Sequence, residues 1–365
     1  MEEIINRLVE WREKGKSYPY QIQFHPTNFC NLRCIFCPTR ALVKELKRES
    51  ELRKEEWLRI VEEGAELKVE EWHICGGGEP LFFTDETLEI MEKIKEYGKY
   101  GEIITNGTFF SKKVAEKIVK IGWNKIYISL DSPFMKTQNY LRQANCFTKI
   151  IKGVENLVKW KKKLKKEVPL IYFHMVVCNK NYNQIKEMIK LAYKLKVNGL
   201  SLNALNVWKP EVRKLQLKKE EIIKMKKILN ESKMLAEKLN ISNNINEFLE
   251  KTLYEKANVM KEAMISEIKD KKGFSSLPCY YPWYNISIFP DGNTLPCFIL
   301  KDKGENVREK SLKEIWFGNY FQNIRKMFLK KKLKEDCAKC NPWNLPKMIK
   351  IREKLTKFEQ FKNET

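Results

Sequence analysis

Three cysteines, Cys30, Cys34 and Cys37, stand in C-x3-C-x2-C spacing just after a short apolar run, Tyr20–His25. Three thiolates from one loop can hold three corners of a cubane iron–sulfur cluster, leaving the fourth iron open to a small molecule. A structural zinc site wants four ligands, and no fourth Cys or His follows in zinc-finger spacing. His25 is read as a strand-end residue. A second set, Cys279, Cys297, Cys337 and Cys340, ends in a C-x2-C pair. Four thiolates can close a second iron–sulfur cluster or form a zinc ribbon, and spacing leaves both open. Of the other cysteines, Cys75 and Cys178 read as small core residues, and Cys146 falls in a loop.

The first set needs a scaffold, and the hydrophobic pattern supplies one. Strands are expected at Tyr20–His25, Glu71–Cys75, Glu102–Thr105, Lys125–Leu130, Leu170–Val177 and Gly199–Ala204. Between them lie helical periods at Lys54–Leu67, Asp85–Tyr97, Ser111–Ile121, Phe147–Lys163 and Tyr182–Leu195. Six strand–helix units in a row imply an α/β fold with a parallel sheet and right-handed crossovers, a partial (β/α)6 barrel. Two long helices, Lys218–Leu239 and Asn244–Lys269, read as a helical insert. From Cys279 onward, short β-like runs around a Pro-Asp-Gly turn read as a small cysteine-rich α+β domain. The expected segments are an N-terminal helix (1–19), the barrel (20–208), the insert and linker (209–275), the cysteine-rich domain (276–345) and a basic tail (346–365).

The motifs and the strand ends coincide. Cys30-Asn31-Leu32-Arg33-Cys34-Ile35-Phe36-Cys37 follows the first strand, Gly77-Gly78-Glu79-Pro80 the second and Thr105-Asn106-Gly107 the third. Ser129-Leu130-Asp131 ends the fourth strand and Val177 the fifth. Ligands in parallel α/β folds sit at these carboxyl ends. In this constellation the sequence resembles the radical S-adenosylmethionine (SAM) enzymes. The resemblance implies that Cys30, Cys34 and Cys37 hold a 4Fe-4S cluster. It implies that Gly77, Gly78 and Glu79 meet the SAM amino group. Ser129 and Asp131 would meet its ribose or carboxylate, Val177 its adenine and Arg142 the cofactor, with Phe36 and Asn106 beside it.

Cys279-x12-Gly292-x4-Cys297 is similar to the opening of the SPASM extension of that superfamily. Nothing follows Cys340 in the full extension's pattern, which points to the shortened twitch version with one auxiliary 4Fe-4S cluster held by four cysteines. The resemblance implies reductive cleavage of SAM to a 5′-deoxyadenosyl radical and hydrogen abstraction from substrate. An electron donor such as flavodoxin or ferredoxin is implied as partner. In sulfatase-maturating relatives an Asp after the cysteine matching Cys297 accepts a proton. Phe298 stands there in this sequence, so no catalytic base is assigned.

Composition ranks the substrates. Lys+Arg number 70 against Asp+Glu 47, a net charge of +23 that raises nucleic acid as a partner. The lysines of Lys159–Lys166 and Lys330–Lys334 interleave with Leu, Trp and Phe at helical spacing, the pattern of a solvated face, so an RNA-modifying role ranks last. Only 29 residues precede Cys30, too few for a folded peptide-binding domain. A small polar or sugar-like metabolite is therefore the first expectation, with net oxidation or rearrangement as the reaction, and peptide maturation the alternative. The acidic start MEEIINRLVEW is not a secretory signal, no apolar run is long enough to span a membrane, and a cytoplasmic location is expected.

Overall fold

The computed structural model describes residues 1–39, 47–250, 273–340 and 344–364. These residues fall into two compact units. One takes those within 25–50 and 73–254, the other those within 1–24, 51–72 and 255–365.

The larger unit carries the strand–helix repeat. Strands β3 (Tyr100–Thr105), β4 (Lys125–Ser129), β5 (Leu170–Val177), β6 (Gly199–Ala204) and β7 (Ser242–Asn243) lie in chain order. Adjacent strands pair in parallel, with Ser129 opposite His174 and Val177 opposite Ala204. Side chains alternate across the sheet: Ile103, Ile126, Ile128, Ile171, Phe173 and Met175 are fully buried. The other phase carries Glu102, Lys125, Tyr127, Tyr172 and His174. Helices α3 (Thr84–Glu96), α4 (Lys112–Ile121), α6 (Phe147–Lys163) and α7 (Ile185–Lys194) connect the strands. Ser111 caps α4 by accepting from the Val114 N–H at 3.2 Å. A short helix, α5 (Met135–Arg142), follows β4, and α8 (Lys219–Lys238) and α9 (Ile245–Glu250) complete the unit. The rest of the second long helix expected over Asn244–Lys269 lies outside the described residues.

The smaller unit joins the two ends of the chain. Helix α1 (Glu2–Lys14), β1 (Gln21–Phe24), α2 (Lys54–Glu66) and the start of β2 (Glu71–Ile74) pack with the C-terminal elements. Strand β8 (Asn285–Ile288) pairs with β1 in parallel, and β9 (Asn293–Leu295) and β10 (Glu305–Asn306) extend it antiparallel. The Cys279 region was expected as a domain apart, yet its first strand lies against β1. All four β8 residues are buried, including Asn285, whose amide donates to the Pro296 carbonyl at 2.8 Å. Helices α10 (Leu312–Phe317), α11 (Asn319–Leu329) and α12 (Asn344–Glu364) finish the chain. On α11, the buried Arg325 donates to the Pro282 and Trp316 carbonyls at 2.9 and 2.8 Å. Rings of Trp11 and Trp316 lie 4.5 and 4.2 Å from its guanidinium. Burial lowers its pKa to about 9.

Candidate functional site

Cys30, Cys34 and Cys37 line one cavity of about 340 Å³ at the carboxyl ends of the strands in the larger unit. Gly77, Gly78, Glu79, Asn106, Ser129 and Arg142 share its wall. The loop carrying the glycines lies directly on the residues before Cys30. The Gly78 N–H donates to the Thr27 carbonyl at 2.6 Å and the Glu79 N–H to the Phe29 carbonyl at 2.8 Å. A Cβ on Gly78 would sit 1.9 Å from that Phe29 oxygen, and one on Gly77 2.5 Å from the Thr27 oxygen. Only glycine permits this approach. His25, read as a strand-end residue, is buried with its ring against Gly76, and burial lowers its pKa to about 4.

Among the described residues, Glu79 is the only carboxylate on the cavity wall. It accepts from the Asn106 N–H at 2.7 Å, the Thr105 hydroxyl at 2.5 Å and the Leu81 N–H at 3.1 Å. Burial nonetheless raises its pKa to about 7. A buried carboxylate so held is suited to an incoming ammonium group. Asn106 also ties the cysteine loop to β3: its amide donates to Asn31 Oδ1 at 2.8 Å. Thr105 and Asn31 were not singled out in the sequence. Both stand inside the motifs quoted from the sequence, which was the signal they offered.

Three expected cofactor contacts lie off the cavity wall. Phe36 packs with Leu141, Cys178, Val212 and Leu215 in a buried cluster beneath the cysteine loop. Val177 falls in the buried phase of β5, while its neighbour Val176 is partly buried and packs, as Cys34 and Ile35 do, against the Phe36 cluster. Asp131 is fully buried, 2.6 Å from Arg142.

In the smaller unit, Cys279, Cys297, Cys337 and Cys340 line a second cavity with Tyr281, Phe328, Leu333 and Met348. Its walls are apolar, and burial pushes the thiols of Cys279 and Cys297 well up. Thiolates become stable there only against positive charge, which iron supplies. Arg325 at Pro282, and the Tyr280 N–H on Met348 Sδ at 3.2 Å, fix the walls.

Comparison with known proteins gives the family. The radical SAM superfamily model matches residues 24–192, and the SPASM model, an iron–sulfur cluster-binding domain, matches 279–341. The chain belongs to the radical SAM superfamily. Radical SAM proteins with a SPASM domain use a 4Fe-4S cluster, SAM and auxiliary iron–sulfur, and the two cysteine-lined cavities fit that donor set. The chain is similar to the PqqA peptide cyclase of Granulibacter bethesdensis, 26% identical over 302 residues, 80% of this chain and 72% of that one. It is similar to the tungsten-containing aldehyde ferredoxin oxidoreductase cofactor-modifying protein of Pyrococcus furiosus, 24% identical over 325 residues, 86% of this chain and 85% of that one. Its fold is that of Streptococcus suis SuiB bound to S-adenosylmethionine. The TM-score is 0.63 at 16% identity, covering 93% of this chain and 73% of the other. SuiB bound to its precursor peptide SuiA gives the same TM-score at 17% identity, covering 88% and 70%. Among the described residues no helix is long and apolar enough to cross a membrane.

Proposed function

We propose that this protein is a radical SAM enzyme that modifies a peptide. The observation that carries the reading is the similarity to a peptide cyclase over 302 residues, 80% of the chain. The sequence alone places a small polar substrate first. The similarity to the Pyrococcus furiosus cofactor-modifying protein, over 86% of this chain and 85% of that one, supports that as the second reading. In both, Cys30, Cys34 and Cys37 hold the first cluster and Cys279, Cys297, Cys337 and Cys340 the auxiliary one. The reduced first cluster, when bound, supplies the electron that splits SAM. The chain's own residues bind and orient. Glu79 takes the SAM ammonium, Asn106 and Ser129 offer polar atoms along the wall, and the glycines bring backbone close. The auxiliary site, enclosed by four thiols, is suited to electron transfer from the product.

The test is anaerobic incubation of the reconstituted enzyme with SAM, a reductant and a short peptide encoded beside its gene. Loss of two hydrogens from the peptide by mass spectrometry is expected. An unchanged peptide, alongside turnover of a small metabolite, would reverse the order of the two readings.

Glu79 gives a pH prediction. Only the ionised carboxylate attracts ammonium, and burial raises its pKa to about 7. SAM affinity is therefore full above that value and falls as pH drops through it, approaching tenfold per unit. Titration calorimetry on the cluster-loaded protein measures it. Glu79→Gln should weaken binding at about pH 8 and remove the slope; a slope that persists in the variant assigns it to another group.

A further inference from the structure

The C-terminal end of α5 is bonded to the cysteine loop. The Arg33 N–H donates to the Arg142 carbonyl at 3.2 Å and the Ile35 N–H to the Leu141 carbonyl at 3.1 Å. These bonds satisfy carbonyls that a helix end leaves open, and they bring the Arg142 side chain against Cys34. Its Nη1 lies 3.5 Å from Cys34 Sγ. Its Nη2 lies 2.6 Å from Asp131 Oδ2. Asp131 is itself anchored, because its Oδ1 accepts from the Val176 N–H at 2.9 Å. The Phe36 ring lies 5.4 Å from the guanidinium. Arginine's planar fork lets one group serve a carboxylate and a sulfur together. Swinging it toward a ligand in the cavity would break the pair with a buried carboxylate, a costly loss.

We propose that Arg142, fixed by Asp131, is a positioning residue that donates N–H···S to Cys34 and raises the reduction potential of the first cluster. The proposal rests on Cys34 being a ligand of that cluster. Hydrogen bonds and positive charge at a cluster's cysteine sulfurs favour the reduced state, which carries one more negative charge. Here both come from one side chain that is 7% exposed, so solvent screens neither.

The experiment is an EPR-monitored redox titration of the full-chain holoenzyme without SAM. The first cluster is recognised afterwards as the signal that changes on adding SAM. Arg142→Gln should shift that midpoint down by about tenfold in the reduction equilibrium, about 59 mV for one electron, with the auxiliary signal unmoved. Arg142→Lys keeps the charge without the fork and should shift it by less; it also serves if the Gln variant does not fold. An unchanged midpoint with SAM affinity reduced tenfold would overturn the proposal and assign the arginine to SAM itself. Absence of any SAM-responsive signal in the wild-type protein would overturn the ligand role of Cys34, and the proposal with it.

Discussion

Cys34→Ala should reduce formation of 5′-deoxyadenosine from SAM to background, while Cys337→Ala should leave SAM cleavage in place and impair substrate turnover. The two cysteine sets line separate cavities, each assembled within its own unit. Cys34 shares its cavity with Glu79, Asn106, Ser129 and the glycines, the residues suited to hold SAM. Cys337 sits among apolar side chains with three other thiols and, among the described residues, no carboxylate on the wall. Removing a ligand from a three-cysteine site leaves two, too few to retain a cubane, whereas the SAM cavity is untouched by a change at Cys337. Iron analysis gives a second readout. The wild-type chain should hold about eight irons for two cubanes, and Cys34→Ala about four. Equal loss of SAM cleavage in both variants would contradict this division of labour.

The barrel was legible because its signals were local and repeated. Leu170–Val177 and Gly199–Ala204 are strands, and Phe147–Lys163 a helix, over the ranges that apolar spacing gave. The motifs at strand ends fall in one cavity because side chains at the carboxyl ends of parallel strands converge whatever their separation in sequence. Other features had no such signal. Helix α5 carries MKTQNYLR, with no apolar stripe; Gln143 in left-handed conformation ends it, and contact with the cysteine loop defines it. Val212 and Leu215 looked like the start of a spacer, yet they pack beneath Phe36. The pairing of β8 with β1 links residues more than 260 positions apart, and β8 is buried throughout although it carries the polar Asn285 and Ser287. Asp131 read as a cofactor contact from its motif alone, and only geometry reveals its bond to Arg142.

Gly78→Ala should cost the protein its first cluster and its SAM binding while sparing the auxiliary site. The added methyl would lie 1.9 Å from the Phe29 oxygen, 2.5 Å from the Phe29 carbonyl carbon and 2.6 Å from the Asn28 carbonyl carbon. All three are backbone atoms, which have no rotamer to change. The Phe29 oxygen is further committed to the Glu79 N–H at 2.8 Å. Relief can come only by moving Phe29, and with it Cys30, or by moving the loop, and with it Glu79. Either displacement separates the cysteine from the carboxylate that share the cavity. Overpacking of this kind costs on the order of 1–3 kcal/mol in stability, and the functional loss should exceed it because two binding groups are misplaced together. Gly98→Ala is the control. Its Cβ meets nothing within 4 Å, so only the strain of its φ of +68° is added, about 1–3 kcal/mol for a non-glycine residue there. The two variants should thus melt at similar temperatures yet differ in iron, about four per chain for Gly78→Ala and about eight for Gly98→Ala. A Gly78→Ala protein that keeps the full iron complement and binds SAM like the wild type would show that the loop does not set the position of Cys30.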